Sequence, residues 1–215
     1  MTQAPTQAPT QALPRPIEFA EFLEIYPEDG KPYELWDGNL VEMLPTGPHE
    51  LISSFLATKL QVEIWHQGLP YVIPKTSVVK PFRQRSGYCP DCIVLRREAL
   101  TQELLWPKAS TVAQGETIAL VIEVVSTNWR DDYLTKFGDY EEMGISEYWL
   151  VDFRALGATR YLGKPKQPTI TVCTLAEGEY TMTSFRTGQP LVSQVFPDLV
   201  LTTDEIFAVG SSSGG

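Results

Sequence analysis

The sequence predicts an α/β (α+β) fold, a central mixed sheet flanked by helices, and three observations carry that reading. A segment from Pro48 to Gln67 repeats apolar residues at three- and four-residue spacing, short apolar and β-branched runs follow it, and a second helical pattern separates two of those runs. A further observation is chemical. Asp91 and Glu123 interrupt the apolar runs, and an acid is costly to bury unless a cation or a strong donor meets it.

The first residues repeat Thr-Gln-Ala-Pro, which predicts a disordered leader over 1–15, one domain over 16–208, and a flexible tail over 209–215 that carries the Ser-Gly run. Pro16 to Tyr26 reads as a short helix with Phe19, Phe22, Leu23 and Tyr26 on one face. Between Tyr33 and Met43, Asp37-Gly38 signals a tight turn joining two short strands. Pro48 opens the long helix, Leu51, Ile52, Phe55, Leu56, Leu60 and Ile64 supply the face that packs on a sheet, and Gly68 closes it.

Strands follow over Tyr71 to Lys80, Asp91 to Leu95 and Glu116 to Val125, then a helix over Asp131 to Met143 capped by Gly144, then a dense apolar strand over Glu147 to Asp152. Arg160 to Tyr161, Thr169 to Leu175 and Glu179 to Arg186 read as antiparallel strands, the last two joined by the turn Glu177-Gly178. A short helix near Asp204 to Ala208 ends the pattern. Trp149, within an apolar strand, reads as a core residue and not as a base-stacking platform.

A chain of 215 residues with 43% hydrophobic content matches one ordinary globular domain. No apolar run reaches membrane-spanning length and the start lacks the regions of a signal peptide, so the cytoplasm is the expected compartment and no membrane the expectation. Cys89, Cys92 and Cys173 leave an odd count, which argues against a disulfide framework. Cys89 and Cys92 have zinc-ligand spacing, but the remaining candidates, Cys173, His49 and His66, lie at irregular separations; Cys92 reads more simply as a small buried residue.

The net charge of −10, from 27 acids against 17 lysines and arginines, is awkward for an enzyme of nucleic acids, although the distribution of charge matters more than its sum. Lys75, Lys80, Arg83, Arg85, Arg96 and Arg97 surround Asp91, which makes either a local basic surface or a solvated hairpin. Asp91, Glu123 and a lysine-bearing helix just after Glu123 are the parts of a metal-dependent phosphodiesterase; an acid at a strand end facing water is the alternative for each carboxylate.

The order of elements matches the PD-(D/E)xK nuclease superfamily. Tyr33 to Gly38, Pro48-His49, Pro90-Asp91, Glu123 to Ser126, Asp132 with Lys136 and Tyr140, and Gly144 to Asp152 together resemble the Uma-two family of restriction-endonuclease-like proteins, over about residues 17 to 208. The resemblance implies a restriction-endonuclease-like core with an extra N-terminal hairpin and C-terminal strands, and a divalent metal held by Asp91 and Glu123. Hard oxygen ligands favour Mg2+ or Mn2+.

One departure bears on the chemistry. The superfamily places a lysine two residues after the glutamate, where this chain has Val125. Lys136, at a place where relatives carry lysine, is the replacement that the resemblance implies; a surface pair with Asp132 is the alternative. Three accessory residues are each open to more than one reading. Glu34 adds a carboxylate or alternates outward, His49 meets a phosphate, acts as a general base or satisfies a neighbouring loop, and Tyr140 orients Lys136 or packs in the core.

The functions that follow are a metal-dependent DNA endonuclease, expected as a homodimer because duplex cleavage takes two related sites; a catalytically silent nuclease-fold binding protein; and a phosphodiesterase acting on RNA or a small phosphate ester.

Overall fold

The computed structural model describes residues 15–211, so most of the expected leader and the last four residues of the tail lie outside the described residues. Helix α1 (Phe19–Glu24) leads into the hairpin β1 (Tyr33–Trp36) and β2 (Asn39–Glu42). Asp37 and Gly38 both take positive φ, 46° and 84°, the backbone that a two-residue turn between twisted strands requires. A Cβ on Gly38 would lie 2.6 Å from that of Pro16, so the turn also packs against the residues that lead into α1.

Helix α2 (Gly47–Gln67) has proline in its first turn and ends at Gly68, φ 65°, as expected. Its buried stripe is Ile52, Leu56, Leu60 and Ile64. Leu51 is half exposed, because a residue next to the stripe is rotated about 100° away from it.

The expected strand from Tyr71 to Lys80 is broken. β3 (Tyr71–Val72) joins the main sheet, whereas β4 (Val78–Val79) pairs with the later β6 (Thr111–Val112). Pro74 between them has no N–H for a ladder, and the chain changes partner there. β5 (Cys92–Arg96), β7 (Ile118–Val124), β8 (Glu147–Asp152), β9 (Thr169–Ala176) and β10 (Glu179–Arg186) complete a mixed six-stranded sheet of order β10-β9-β8-β7-β5-β3. Between β5 and β7 lies a four-residue helix, α3 (Trp106–Ala109).

The β7–β8 pair is parallel and its crossover begins as a π-helix (Asp131–Lys136) that runs into α4 (Phe137–Met143), capped by Gly144 at φ 78°. Arg160 and Tyr161 are not a strand. They lie in the helical turn α5 (Thr159–Leu162), where the Ala158 carbonyl accepts the N–H groups of both Tyr161 and Leu162. The last helix, α6 (Thr203–Ser211), outruns its predicted end because Gly210 lies against Ile52 and Phe153 and is buried there.

Apolar residues fill both faces of the sheet. Ile52, Leu56 and Leu60 of α2 and Ile206 of α6 meet Leu120, Ile122 and Trp149 on one face. Tyr140 and Met143 of α4 meet Val121, Val125, Tyr148 and Leu150 on the other. Alternate residues of β7 therefore serve two cores, and Glu123 falls on the α4 side with Val121 and Val125.

Candidate active site

β5 and β7 are antiparallel with Cys92 opposite Ile122, so continuing the register by one residue sets Asp91 beside Glu123. Asp91 lies just ahead of β5, where its Oδ2 accepts the Val124 backbone N–H at 2.6 Å. The same oxygen lies 2.9 Å from Nε2 of His49, in the first turn of α2. A backbone donor and a side chain from another layer thus fix one carboxylate.

Glu123 is fixed from the opposite side. Its Oε1 accepts from Lys136 Nζ at 3.0 Å and from the Tyr140 hydroxyl at 3.0 Å. Asp132, Lys136 and Tyr140 recur every four residues, which keeps them on the helix side that faces β7. Lys136 Nζ also donates to Glu34 Oε1 at 3.1 Å, and Asp132 Oδ1 is 3.9 Å away. Glu34 in turn accepts the Cys89 N–H at 2.9 Å and the Trp36 indole N–H at 2.8 Å, which ties the hairpin to the residues leading into β5.

A cleft of about 1190 Å³ opens here, between α2 and the hairpin on one wall and the start of the π-helix on the other. Asp91, Glu34, His49, Asp132 and Lys136 line it. Glu123 does not; it is 3% exposed and stands behind them.

The model of a family described as "Putative restriction endonuclease", Uma-two, matches residues 19–204. The chain belongs to the Uma-two family. None of the curated proteins compared with it matches. Among solved structures, it is similar to the crystal structure of a putative nuclease belonging to DUF820 from Anabaena variabilis ATCC 29413, at 19% identity over 91% of this chain and 99% of that one, with a TM-score of 0.65. At that identity the likeness is one of fold, and it agrees with the α/β architecture read from the sequence.

The electrostatics of this Uma-two site follow from one ammonium shared among several acids. Burial works against the charge of Lys136, but Glu123, Glu34 and Asp132 outweigh it and hold the lysine pKa well above its usual value. Burial raises Glu123, and Asp91, Asp132 and Glu34 add to that rise against the opposing pull of Lys136. Asp132 is pushed up to about 7, first by burial and then, against Lys136, by Asp91 and Glu34. Burial also opposes a charge on His49, yet contact with Asp91 leaves its pKa raised. One buried ammonium thus serves several acids, and the site is short of positive charge.

The structure brings together Asp91, Glu123, Lys136, Glu34, His49 and Tyr140. Glu34 points inward and is 1% exposed, which replaces the outward alternative. Tyr140 is buried and bonds Glu123 rather than Lys136, so it orients the carboxylate and packs in the core at once. The Asp132–Lys136 surface pair is also replaced, because Lys136 is 2% exposed and its shorter contacts are with Glu34 and Glu123. The position of the missing lysine, Val125, is a core residue. The i,i+4 spacing of Asp132 to Lys136 conceals it as a cleft-lining acid; its place among the residues that resemble the family, with Lys136 and Tyr140, is the signal that points to it.

Among the described residues, no group of three or more His, Cys, Asp and Glu side chains is arranged to hold a metal. Magnesium, however, is usually bound by only one or two carboxylates with water and substrate phosphate. The hydrogen bonds of Asp91 all fall on Oδ2 and those of Glu123 on Oε1, which leaves one oxygen of each without such a bond among the described residues. Hard oxygens short of positive charge suit that ion. Cys89 and Cys92 do not: burial first of all pushes both thiols up to about 12, and Cys92 lies in the core.

Proposed function

We propose that this Uma-two chain is a metal-dependent endonuclease that hydrolyses DNA phosphodiester bonds. The observation that carries the proposal is Lys136 placed between Glu34 and Glu123, beside Asp91, at a cleft. A lysine lost from the strand is supplied from the next helix, and the carboxylates keep it protonated.

Asp91 and Glu123, with Asp132 next to them, would hold Mg2+ or Mn2+, which when bound lowers the pKa of an attacking water and offsets charge on phosphate oxygens. Lys136 adds a fixed positive charge where negative charge develops on the phosphate. Val124 N–H and His49 hold the Asp91 carboxylate in one orientation, and Tyr140 does the same for Glu123. His49, 2.9 Å from Asp91, stands beside the proposed metal position, with a phosphate contact and a general-base role both open to it. Cutting both strands of a duplex takes two such sites, hence a homodimer. Three free cysteines suit a reducing cytoplasm.

The test is incubation of the purified protein with supercoiled, linear and single-stranded DNA and with RNA, in Mg2+, Mn2+ or chelator, beside Asp91→Ala and Lys136→Ala. DNA cleavage that needs metal and disappears in both variants supports the proposal. Cleavage of RNA or of a small phosphate ester alone would reassign the substrate.

One observation favours a second reading, a silent nuclease-fold binding protein: Lys136 is almost wholly buried and held by two carboxylates. Calorimetry separates the two, because a silent protein shows no metal binding that Asp91→Ala abolishes.

A further inference from the structure

The basic surface suggested by Lys75 to Arg97 is largely spent on the fold. Arg83 binds Asp139, Arg85 faces Glu18, Arg96 donates to the Glu116 and Ile118 carbonyls and to Ser146, and Lys80 lies over the Phe19 ring. Cations outside any ion pair gather elsewhere, although Lys166 also donates to the Leu156 carbonyl. Between Asp152 and Glu177 the chain has no acid, whereas Arg154, Arg160, Lys164 and Lys166 occur there, all exposed. Among the described residues none of these four, nor the exposed Arg130, enters an ion pair.

This basic segment is joined to the cleft. β7 and β8 are parallel, so the residues after Val124 and those after Asp152 leave the same end of the sheet. Asn128, Asp131 and Arg154 line the cleft. The two loops are locked by aromatic contact: Tyr161 stacks on Tyr133 at 4.4 Å and 21°, and Trp129 meets both rings edge-on. Gly157 lets the second loop close on this group, since a Cβ there would lie 3.1 Å from the Tyr133 ring.

Two guanidiniums lie over these rings, Arg130 at 4.5 Å from the Trp129 centroid and Arg160 at 4.7 Å from that of Tyr161. A stacked guanidinium is already ordered and keeps its edge free for bidentate donation to phosphate. The facing wall of the cleft has the opposite character, with Glu28, Glu42 and Glu50, and its Lys31 is paired to Glu42. The exposed Lys75 also lines the cleft and Asp131 and Asp132 line the side of the π-helix, so the run of cations without acids is the segment after β8 that leads out of the cleft from Arg154.

We infer that Arg130 and Arg160, held on the Trp129–Tyr133–Tyr161 cluster, together with Arg154, Lys164 and Lys166 form the surface that binds the sugar–phosphate backbone of a nucleic acid as it enters the cleft. The choice of a nucleic acid rests on the nuclease reading, and the surface itself rests on charge and geometry. Binding through such a surface depends steeply on salt, since each neutralised phosphate releases counterions.

The experiment is fluorescence anisotropy with labelled duplex and single-stranded DNA in chelator, where no metal-dependent cleavage occurs. The full chain is compared with Arg154→Gln/Arg160→Gln/Lys164→Gln and with a control, Lys59→Gln/Arg97→Gln. In the control, Lys59 pairs with Glu205 and Arg97 follows β5 at the opposite end of the sheet. Circular dichroism confirms that each variant is folded. The triple variant is expected to bind at least about tenfold more weakly near ~0.1 M salt and to lower the salt slope by about 3, while the control binds as the parent does.

Equal binding by the triple variant and the parent, or no salt-sensitive binding by the parent, overturns the inference. So does preference for poly-glutamate over DNA, which would give this face to an acidic protein. Patch-dependent binding without cleavage by the parent would sink the nuclease reading and leave this inference standing. Cleavage lost in Asp91→Ala but unchanged in the triple variant would do the reverse.

Discussion

Lys136 and Glu34 are 102 residues apart in the chain, yet Nζ lies 3.1 Å from Oε1 and both side chains are buried. The contact binds the early hairpin to the crossover helix and places the ammonium among carboxylates that come from separate elements. The same few atoms therefore carry part of the stability of the fold and the chemistry proposed for it.

Removing one partner of a buried pair strands the other. Lys136→Met is expected to lower stability by about 3 kcal/mol, because Glu34 and Glu123 lose their shared cation. Adding Glu34→Gln should recover part of that loss, so the double variant is more stable than the sum of the single effects predicts. Urea unfolding of the four proteins measures the coupling, and strict additivity would rule it out.

The raised pKa of Asp132, about 7 against 3.8 for the free side chain, fixes the sign of a pH effect. Between those values the native protein holds a proton that the unfolded chain has lost, so stability falls as pH rises. The stability is fully present below about pH 4 and lost through about pH 7. Asp132→Asn removes this slope and should gain roughly 2 kcal/mol relative to the parent between pH 5 and pH 8. Chemical denaturation at the two values is the measurement, and parallel curves would refute the shift.

Tyr140→Phe keeps the ring packing against Tyr88 and Tyr148 but deletes the hydroxyl bond to Glu123. Removing one partner of a buried hydrogen bond costs about 1 to 3 kcal/mol. A thermal scan showing no loss would mean that Glu123 finds another donor.

Gly115 offers a test that leaves the site chemistry alone. A Cβ there would lie 1.9 Å from the backbone carbonyl of Met143, at the end of α4, and a backbone atom yields less readily than a side-chain tip. Gly115→Ala is expected to cost about 3 kcal/mol and to shift the start of β7 against α4. Unfolding midpoints compare it with Gly138→Ala, where the added methyl meets nothing within 4 Å.

Much of the fold was legible because its signals are local. The periodicity of α2 with its proline start and Gly68, the Asp37-Gly38 turn, and the runs that became β7 and β8 each depend on neighbours within a few residues. The misreadings had non-local causes. The Tyr71 to Lys80 strand divided because β4 found β6, and Arg160 and Tyr161 formed a turn packed on Tyr133, a partner that no local pattern names.

The candidate site divides in the same way. The sequence by itself determined which residues carry chemistry, because a carboxylate in an apolar strand and a lysine near the start of the following helix are legible in one dimension, and motif order supplied the family. Only the tertiary structure decided their roles: that Glu34 turns inward, that His49 holds Asp91, that Asp132 faces the cleft while Glu123 stands behind it, and that the cations after β8 are left out of ion pairs. The physical reason is that burial and charge pairing are set by distances in space. One-dimensional spacing fixes such distances only within a helix turn or along a strand.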